Sequence, residues 1–345
     1  MKIAVLAGGL SPERDVSLSS GSLISNALIR KGHSVAFADV YKGLDVIPED
    51  FGTLFTACGS YSYKVPETAP DLEAVKASCG NREALIGPGI IELCRAADVV
   101  FIALHGAMGE NGMLQASLDC AGIRHYTGTG YIGALLAMDK EIAKIQMKNG
   151  GVPVPEGIYF DTAEGNIDDI DEKIGYPCVI KPVSCGSSVG VSRVNNRDEL
   201  KDALSLARTY ERFVLAEKMI KGRELTCAIL DGHALPPVEI IPKEGFYDYK
   251  NKYQSGATTE ICPAPLSAGE TKEIGRLAEL AFRTLRMEMY GRADFILADD
   301  GRFYCLELNA LPGMTPTSLL PQEAAVVGYS YADLCEEIVR LALEK

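Results

Sequence analysis

Residues 291–309 read GRADFILADDGRFYCLELN, two alternating runs joined by an Asp-Gly turn signal. A two-residue turn there predicts a hairpin in which Asp294 lies opposite Glu307 and Arg292 lies opposite Asn309. Directly opposed residues point to the same face, and opposed carboxylates repel each other unless a cation lies between them. Because Mg²⁺ prefers carboxylate oxygens together with substrate phosphates, the hairpin predicts a magnesium site. A polar hairpin face that simply meets water is the alternative.

The N-terminal part alternates between apolar runs and a helical pattern. Continuous apolar runs at 2–6, 35–40 and 99–104 are typical of strands buried on both faces. A helix is predicted from about residue 15, where apolar residues recur at helical spacing, and Gly32 ends it. This order predicts an α/β region with a doubly wound parallel sheet. The stretch 41–87 has weak periodicity, and we assign no elements to it.

The pattern changes after about residue 128. We predict helices and short strands here, with helices at 132–148, 198–209, 268–285 and 331–343, and strands at 178–181, 189–194, 214–218, 225–230 and 235–241. The polar stretch 242–265 lies between two of these elements. Loops of that length are uncommon unless they are functional or disordered.

Composition excludes several classes of protein. A chain of 345 residues suits two or three domains, and its net charge of −13 argues against a nucleic-acid binder. Ten cysteines occur without any CxxC pair, and the chain has only four histidines, so we expect no zinc site. Scattered single cysteines are typical of a protein in a reducing cytoplasm. No apolar run is long enough for a membrane span.

Three further segments have the character of ligand-binding loops. Residues 181–190, KPVSCGSSVG, place a lysine before small residues whose backbone N–H groups can approach phosphate oxygens closely. An ordinary tight hairpin is the alternative, since the P-loop pattern GxxxxGK[ST] is absent. Residues 8–17 follow the first strand, where open α/β sheets bind ligands, and Glu13 there suits a substrate ammonium or a helix N-terminus. His105 follows the strand at 99–104, and we expect it to be structural.

Seven motifs in order give the chain a close resemblance to the D-alanine–D-alanine ligases of the ATP-grasp superfamily. They are GG-S-ER-VS near the N-terminus, LHG..GE.G, AMDK at 137–140, KP....GSSVG, EK at 217–218, FYDY..KY at 246–253 and E.N..PGMT..S at 307–318. The resemblance covers nearly the whole chain. It implies an ATP-grasp fold of three domains, an N-terminal α/β domain at 1–127 and two α+β domains, at 128–218 and 219–345, that clasp ATP. Residues 242–265 would form a lid.

The resemblance also implies a cofactor site. Six residues would bind ATP, three at the phosphates, two at the adenine and one at the ribose: in that order Lys140, Lys181 and Lys252; Glu217 and Lys218; and Glu224. Asp294, Glu307 and Asn309 would hold two magnesium ions, with manganese as a substitute.

For the amino-acid substrates, the resemblance implies two groups of residues. Glu13, Ser187 and Tyr253 would form a hydrogen-bonded trio at the ammonium of the first D-alanine. Three more would serve the second step, with Arg292 and the N–H of Gly313 as an oxyanion hole and Ser318 at the second carboxylate.

The implied reaction is ATP-dependent joining of two D-alanines through an acyl phosphate, in a cytoplasmic homodimer that binds neither nucleic acid nor membrane. A ligase of the same family that uses D-serine or D-lactate is the nearest alternative, and Tyr253 favours D-alanine over D-lactate. A catalytically silent nucleotide-binding module is a second alternative. The combination of metal ligands with Arg292 argues against it. A dehydrogenase is excluded because GxGxxG is missing.

Overall fold

The computed structural model describes residues 1–66, 68–186, 188–243 and 258–345, and its N-terminal part is built on a parallel sheet. The strands are β1 (Lys2–Ala7), β2 (Ser34–Asp39) and β3 (Val99–Ile102), in the spatial order β2-β1-β3. The central strand β1 is fully buried from Ile3 to Ala7, as expected for a strand covered on both faces. The predicted parallel sheet is confirmed.

Helices accompany this sheet: α1 (Arg14–Arg30), α2 (Leu72–Ser78), α3 (Ile90–Arg95), α4 (Ala107–Glu110) and α5 (Met113–Cys120). The unassigned stretch 41–87 contains a 3₁₀ turn (Phe51–Leu54) and α2. Much of it is irregular and is attached through side chains. Asn26 of α1 accepts from the backbone N of Tyr61 at 2.8 Å and donates to its carbonyl at 2.7 Å. Such contacts leave no periodic signal in the sequence.

One predicted helix is two helices in the structure. Residues 132–148 were expected to be continuous, but α6 (Tyr131–Met138) ends before Asp139 and α7 (Lys140–Asn149) begins after it. Asp139 has extended backbone angles, and its carboxylate accepts from the N–H of Ile142 at 2.9 Å. An aspartate at this position competes for a backbone donor and so starts a new helix. The break makes Lys140 the first residue of α7.

A four-stranded antiparallel sheet follows, in the order β4-β7-β5-β6. Its strands are β4 (Gly157–Asp161), β5 (Cys178–Pro182), β6 (Ser192–Val194) and β7 (Phe213–Lys218), accompanied by α8 (Asp168–Lys173) and α9 (Arg197–Arg208). The strand predicted at 189–194 is shorter than expected, because residues 188–190 form a turn instead.

The last part contains a six-stranded sheet with path β11-β10-β8-β12-β13 and β9 beside β8. The strands are β8 (Gly222–Leu230), β9 (His233–Ala234), β10 (Val238–Pro242), β11 (Thr258–Ile261), β12 (Tyr290–Ala298) and β13 (Phe303–Asn309). The helices are α10 (Ala268–Thr284), α11 (Leu319–Val326) and α12 (Tyr331–Leu343). Within the described ranges, no helix has both the length and the apolar character needed to cross a membrane.

At the end away from the turn, the β12–β13 hairpin has the predicted residue pairs, but its turn and one strand differ from the prediction. Asp294 lies opposite Glu307 and Arg292 opposite Asn309, which confirms the predicted partners. The predicted two-residue turn is wrong. The N–H of Ala298 bonds to the carbonyl of Arg302, which leaves a three-residue loop whose last residue is a glycine with φ of +80°. A bulge between the turn and the polar end adds one residue to β13 and restores the register.

Candidate active site

The polar face of the β12–β13 hairpin is centred on Asp294. Arg292 donates from Nε and Nη2 to its two carboxylate oxygens, both at 2.9 Å. Thr226 Oγ1 and Asn309 Nδ2 donate to the same carboxylate at 2.7 and 3.0 Å. Asp294 therefore orients both the arginine and the amide on this face.

Glu307 completes a set of oxygen ligands on this face. It lies opposite Asp294, and its Oε2 is 3.7 Å from Nζ of Lys140. Half a turn of the Asn309 amide would present Oδ1 in place of Nδ2, giving two carboxylates and an amide oxygen. These are ligands that Mg²⁺ prefers, so the residues fit the predicted metal. The described ranges contain no cluster of three or more His, Cys, Asp or Glu residues suited to a metal, since one ligand here is an amide.

Lys140 joins helix α7 to the glycine-rich loop. Its Nζ donates to the carbonyl of Cys185 at 2.7 Å, and its backbone N donates to the carbonyl of Val183 at 3.1 Å. Lys181 is the penultimate residue of strand β5, just before this loop. Two of the three predicted phosphate-binding lysines, Lys140 and Lys181, therefore lie next to a loop rich in small residues.

A buried cluster of three charges lies behind the glycine-rich loop. Glu217 is 2% exposed, and its two oxygens are each 2.5 Å from a lysine ammonium, that of Lys144 and that of Lys181. The Lys144 contact lacks hydrogen-bond geometry and is an electrostatic one. Burial opposes ionisation of Glu217, but the two ammonium groups outweigh it and lower its pKa. Burial lowers the pKa of Lys144 to about 8.

Lys144 was not predicted as a site residue. It follows Lys140 by one helical turn, and this spacing was visible in the sequence. Its partner Glu217 comes from β7 of the four-stranded sheet. Only the tertiary structure, which brings Lys144 of α7 to Glu217 of β7, reveals the contact.

A cavity of about 150 Å³ lies between the two antiparallel sheets. It is lined by predicted ATP and metal ligands from both sheets: Lys181, Glu217, Lys218, Glu224, Asp294 and Glu307. Apolar walls come from Val179, Ile220 and Ile296. Lys218 pairs with Glu156 at 3.0 Å near the protein surface. The apolar walls suit a flat base, and the lysines suit phosphates.

A second cavity, of about 270 Å³, lies farther along the same face of the hairpin, beside Arg292 and Asn309. One end of this cavity is lined by residues from the N-terminal part of the chain: Glu13, His105 and Glu110. Nδ1 of His105 is 3.8 Å from Oε1 of Glu110. Burial alone would lower the pKa of His105, but Glu110 and Glu13 offset this and the pKa is raised. His105, expected to be structural, therefore lies in the cavity as part of a charged group.

The opposite end of this cavity is formed by the loop after β13. Gly313 and Ser318 line it together with Arg292. Ser318 Oγ accepts from the N–H of Thr315 at 3.1 Å and lies 2.8 Å from its hydroxyl. A Cβ added at Gly313 would lie 3.0 Å from Oγ of Ser318, closer than side chains normally approach. The glycine therefore leaves room for that hydroxyl.

Three predicted site residues, Ser187, Lys252 and Tyr253, lie outside the described residues, as does most of the predicted lid at 242–265. The hydrogen-bonded trio with Glu13 thus stays a prediction. Gly186 lines the second cavity, and a Cβ there would lie 3.5 Å from Oε2 of Glu13. The loop that precedes Ser187 is therefore close to Glu13.

Comparison with known families gives two matches that together span most of the chain. Residues 2–129 match the family described as D-ala D-ala ligase N-terminus, and residues 147–340 match D-ala D-ala ligase C-terminus. Among curated relatives, the D-alanine–D-alanine ligase of Pediococcus pentosaceus is 40% identical over 345 residues, covering 98% of this chain and 97% of the relative.

Solved structures agree in fold over the full length. A D-alanine–D-alanine ligase from Bacillus anthracis superimposes with a TM-score of 0.77 at 30% identity, covering 100% of this chain and 98% of that one. The same ligase complexed with ATP gives 0.75 at 27% identity, with coverages of 100% and 97%. VanG D-Ala:D-Ser ligase from Enterococcus faecalis gives 0.76 at 26% identity, covering 99% of each chain.

Proposed function

The chain belongs to the D-alanine–D-alanine ligase family, and from this premise we propose that it joins two D-alanines into D-alanyl-D-alanine, converting ATP to ADP and phosphate. The dipeptide is a precursor of bacterial peptidoglycan. The proposed location is the cytoplasm, and the proposed assembly is a homodimer.

One observation carries the proposal: a single hairpin contributes to both cavities. Asp294 and Glu307 line the cavity between the antiparallel sheets, whereas Arg292 and Asn309 line the cavity that contains Glu13 and Ser318. A nucleotide in the first cavity would place its phosphates beside an amino acid in the second. This arrangement suits phosphoryl transfer, where catalysis is mainly positioning and charge neutralisation.

In the first step, a carboxylate oxygen of the first D-alanine attacks the γ-phosphorus of ATP, and ADP leaves. Lys140 and Lys181, which flank the glycine-rich loop, are proposed to neutralise phosphate charge, and Glu13, which lines the second cavity, is proposed to bind the substrate ammonium. Two magnesium ions, held by Asp294, Glu307 and Asn309, would supply further charge neutralisation. Manganese would be an acceptable substitute.

In the second step, the ammonium of the second D-alanine loses a proton and the resulting amine attacks the carbonyl of the acyl phosphate. The C–O bond to phosphate then breaks, phosphate leaves, and the nitrogen releases a second proton as the amide forms. The developing oxyanion needs donors fixed in advance, and Arg292 is fixed by its two bonds to Asp294. The N–H of Gly313 is the second proposed donor, and Ser318 Oγ is proposed to bind the second carboxylate. Because water would hydrolyse the intermediate, closure of residues 242–265 over the site remains part of the proposal.

D-serine is the second candidate for the second substrate, favoured by the likeness to a D-Ala:D-Ser ligase structure. The test is phosphate release with ATP and D-alanine, compared with D-alanine plus D-serine and D-alanine plus D-lactate, with products identified by mass. The expected main product is D-alanyl-D-alanine. ATP turnover that requires no D-alanine would overturn the proposal.

A further inference from the structure

The ammonium group of the second substrate lacks an assigned partner. If the proposed function holds, on which this inference rests, the second cavity receives two amino acids, each with a carboxylate and an ammonium group at neutral pH. Glu13 is assigned to the first ammonium and Ser318 to the second carboxylate. Bringing the second ammonium out of water without an anion nearby would be costly, so a carboxylate is expected at that end.

Glu260 provides a carboxylate at the required end. The described carboxylates that line the second cavity are those of Glu13, Glu110 and Glu260. Glu13 and Glu110 both act electrostatically on His105, so they lie at the end of the cavity that His105 lines. Glu260 comes instead from β11, where it pairs with Ile240 of β10. It enters the cavity from the six-stranded sheet.

A side-chain amide holds Glu260 next to the loop of the second substrate. Nε2 of Gln322, on helix α11, donates to Oε2 of Glu260 at 2.5 Å. The same nitrogen donates to the carbonyl of Thr317 at 2.8 Å. Thr317 directly precedes Ser318, the N-cap of α11. One amide thus fixes the carboxylate of Glu260 relative to the hydroxyl proposed for the second carboxylate.

We infer that Glu260 binds the ammonium group of the second D-amino acid and so favours an amine over a hydroxyl as the attacking group. A carboxylate retains acceptor sites beyond the one that Gln322 uses. An ammonium bound there makes charge-assisted hydrogen bonds that D-lactate, with a hydroxyl, cannot equal. Glu260 is thus a specificity-determining residue, distinct from the first-substrate residues.

The test is Glu260→Gln, which keeps an acceptor for Gln322 and removes only the charge. Rates over a wide range of D-alanine concentration give separate KM values for the first and second sites. The second-site KM is expected to rise about tenfold, because the ammonium loses its negatively charged partner, while the first-site KM changes less than about twofold. With D-lactate present, the product ratio should shift about tenfold towards D-alanyl-D-lactate. If the wild type forms no measurable depsipeptide, the two KM values by themselves test whether Glu260 binds the second ammonium.

Two further variants distinguish binding of the ammonium by Glu260 from a purely structural role of this residue. Gln322→Leu should raise the same KM by a smaller factor, because Glu260 then loses its support. Glu172→Gln, an exposed charge on α8, serves as the matched control and should change neither KM. If the second-site KM is unchanged, or if both KM values rise equally, the inference about Glu260 is wrong. The proposed function still stands in that case, provided that the wild type is active. A wild type without D-alanine-dependent phosphate release overturns the proposed function itself.

Discussion

The ammonium nitrogen of Lys144 lies 2.5 Å from Oε1 of Glu217, behind the cavity between the two antiparallel sheets. Lys181 contacts the other oxygen of the same carboxylate at 2.5 Å. Two buried cations share one anion, which leaves an excess positive charge next to the proposed phosphate site. The same contacts fix the orientation of Glu217, which lines the cavity.

Lys144→Met is expected to weaken ATP binding while the protein remains folded. Glu217 keeps Lys181 as a partner, so no buried charge is left unpaired. Loss of one cation and of the carboxylate's orientation should raise the KM for ATP about tenfold. Steady-state kinetics and calorimetric titration with ADP measure the effect. Lys148→Met, an exposed lysine on the same helix, is the control. Equal KM values in the two variants would contradict the assignment.

Glu307→Gln is expected to abolish turnover without unfolding the protein. The amide has the shape of the carboxylate but lacks its negative charge, which leaves Asp294 as the one anionic ligand of the proposed metal site. Besides activity, the rise in Tm produced by Mg²⁺ with ATP should be lost. Asp299→Asn, an exposed carboxylate at the turn of the same hairpin, should retain both. Normal turnover in Glu307→Gln would remove Glu307 from the metal site.

Glu323→Gln is expected to stabilise the protein at neutral pH. Glu323 is fully buried, and its Oε2 accepts from the N–H of Ala228 at 2.6 Å. Burial raises its pKa well above the ordinary value of 4.5. The folded state therefore keeps a proton that the unfolded state releases above pH 4.5. Stability from the protonated acid is present below pH 4.5 and is lost as pH rises through the folded-state pKa.

Glutamine cannot ionise, so the stability difference between Glu323→Gln and the wild type should grow from pH 5 to pH 8. The expected gain at pH 8 is about 1–3 kcal/mol in the free energy of unfolding. Urea unfolding at several pH values measures it, with Glu172→Gln as reference. A difference that does not vary with pH would show that Glu323 is ionised in the folded protein.

The unmodified enzyme is expected to form D-alanyl-D-alanine well above D-alanyl-D-lactate at pH 7. A cationic residue near the second site would repel the ammonium of D-alanine, and Tyr253 carries no positive charge. Tyr253→Phe should raise the first-site KM, because its hydroxyl is predicted to bond with Glu13 and Ser187. Competition assays with both nucleophiles give the product ratio. Efficient depsipeptide synthesis by the wild type at pH 7 would refute this prediction.

The β12–β13 hairpin shows which structural features local sequence patterns can predict and which they cannot. The two-residue Asp-Gly turn predicted Asp294 and Glu307 as partners, and the structure pairs them although the turn itself differs. The turn was predicted one residue too short, and the bulge at Leu306 compensates for the difference. A bulge depends on how both neighbouring strands pair, and no turn dipeptide encodes it.

The amino-acid sequence by itself determined the element types over most of the chain, the order of the family motifs and the residues of the polar hairpin face. These follow from periodicity, turn chemistry and short motifs, all of which act over a few residues. Only the tertiary structure decided that Lys144 and Glu217 are paired, that Glu323 is buried behind Ala228, and that Glu260 enters the second cavity. Burial and charge pairing arise where segments distant in sequence meet, so the physical reason for these contacts is packing and not local pattern.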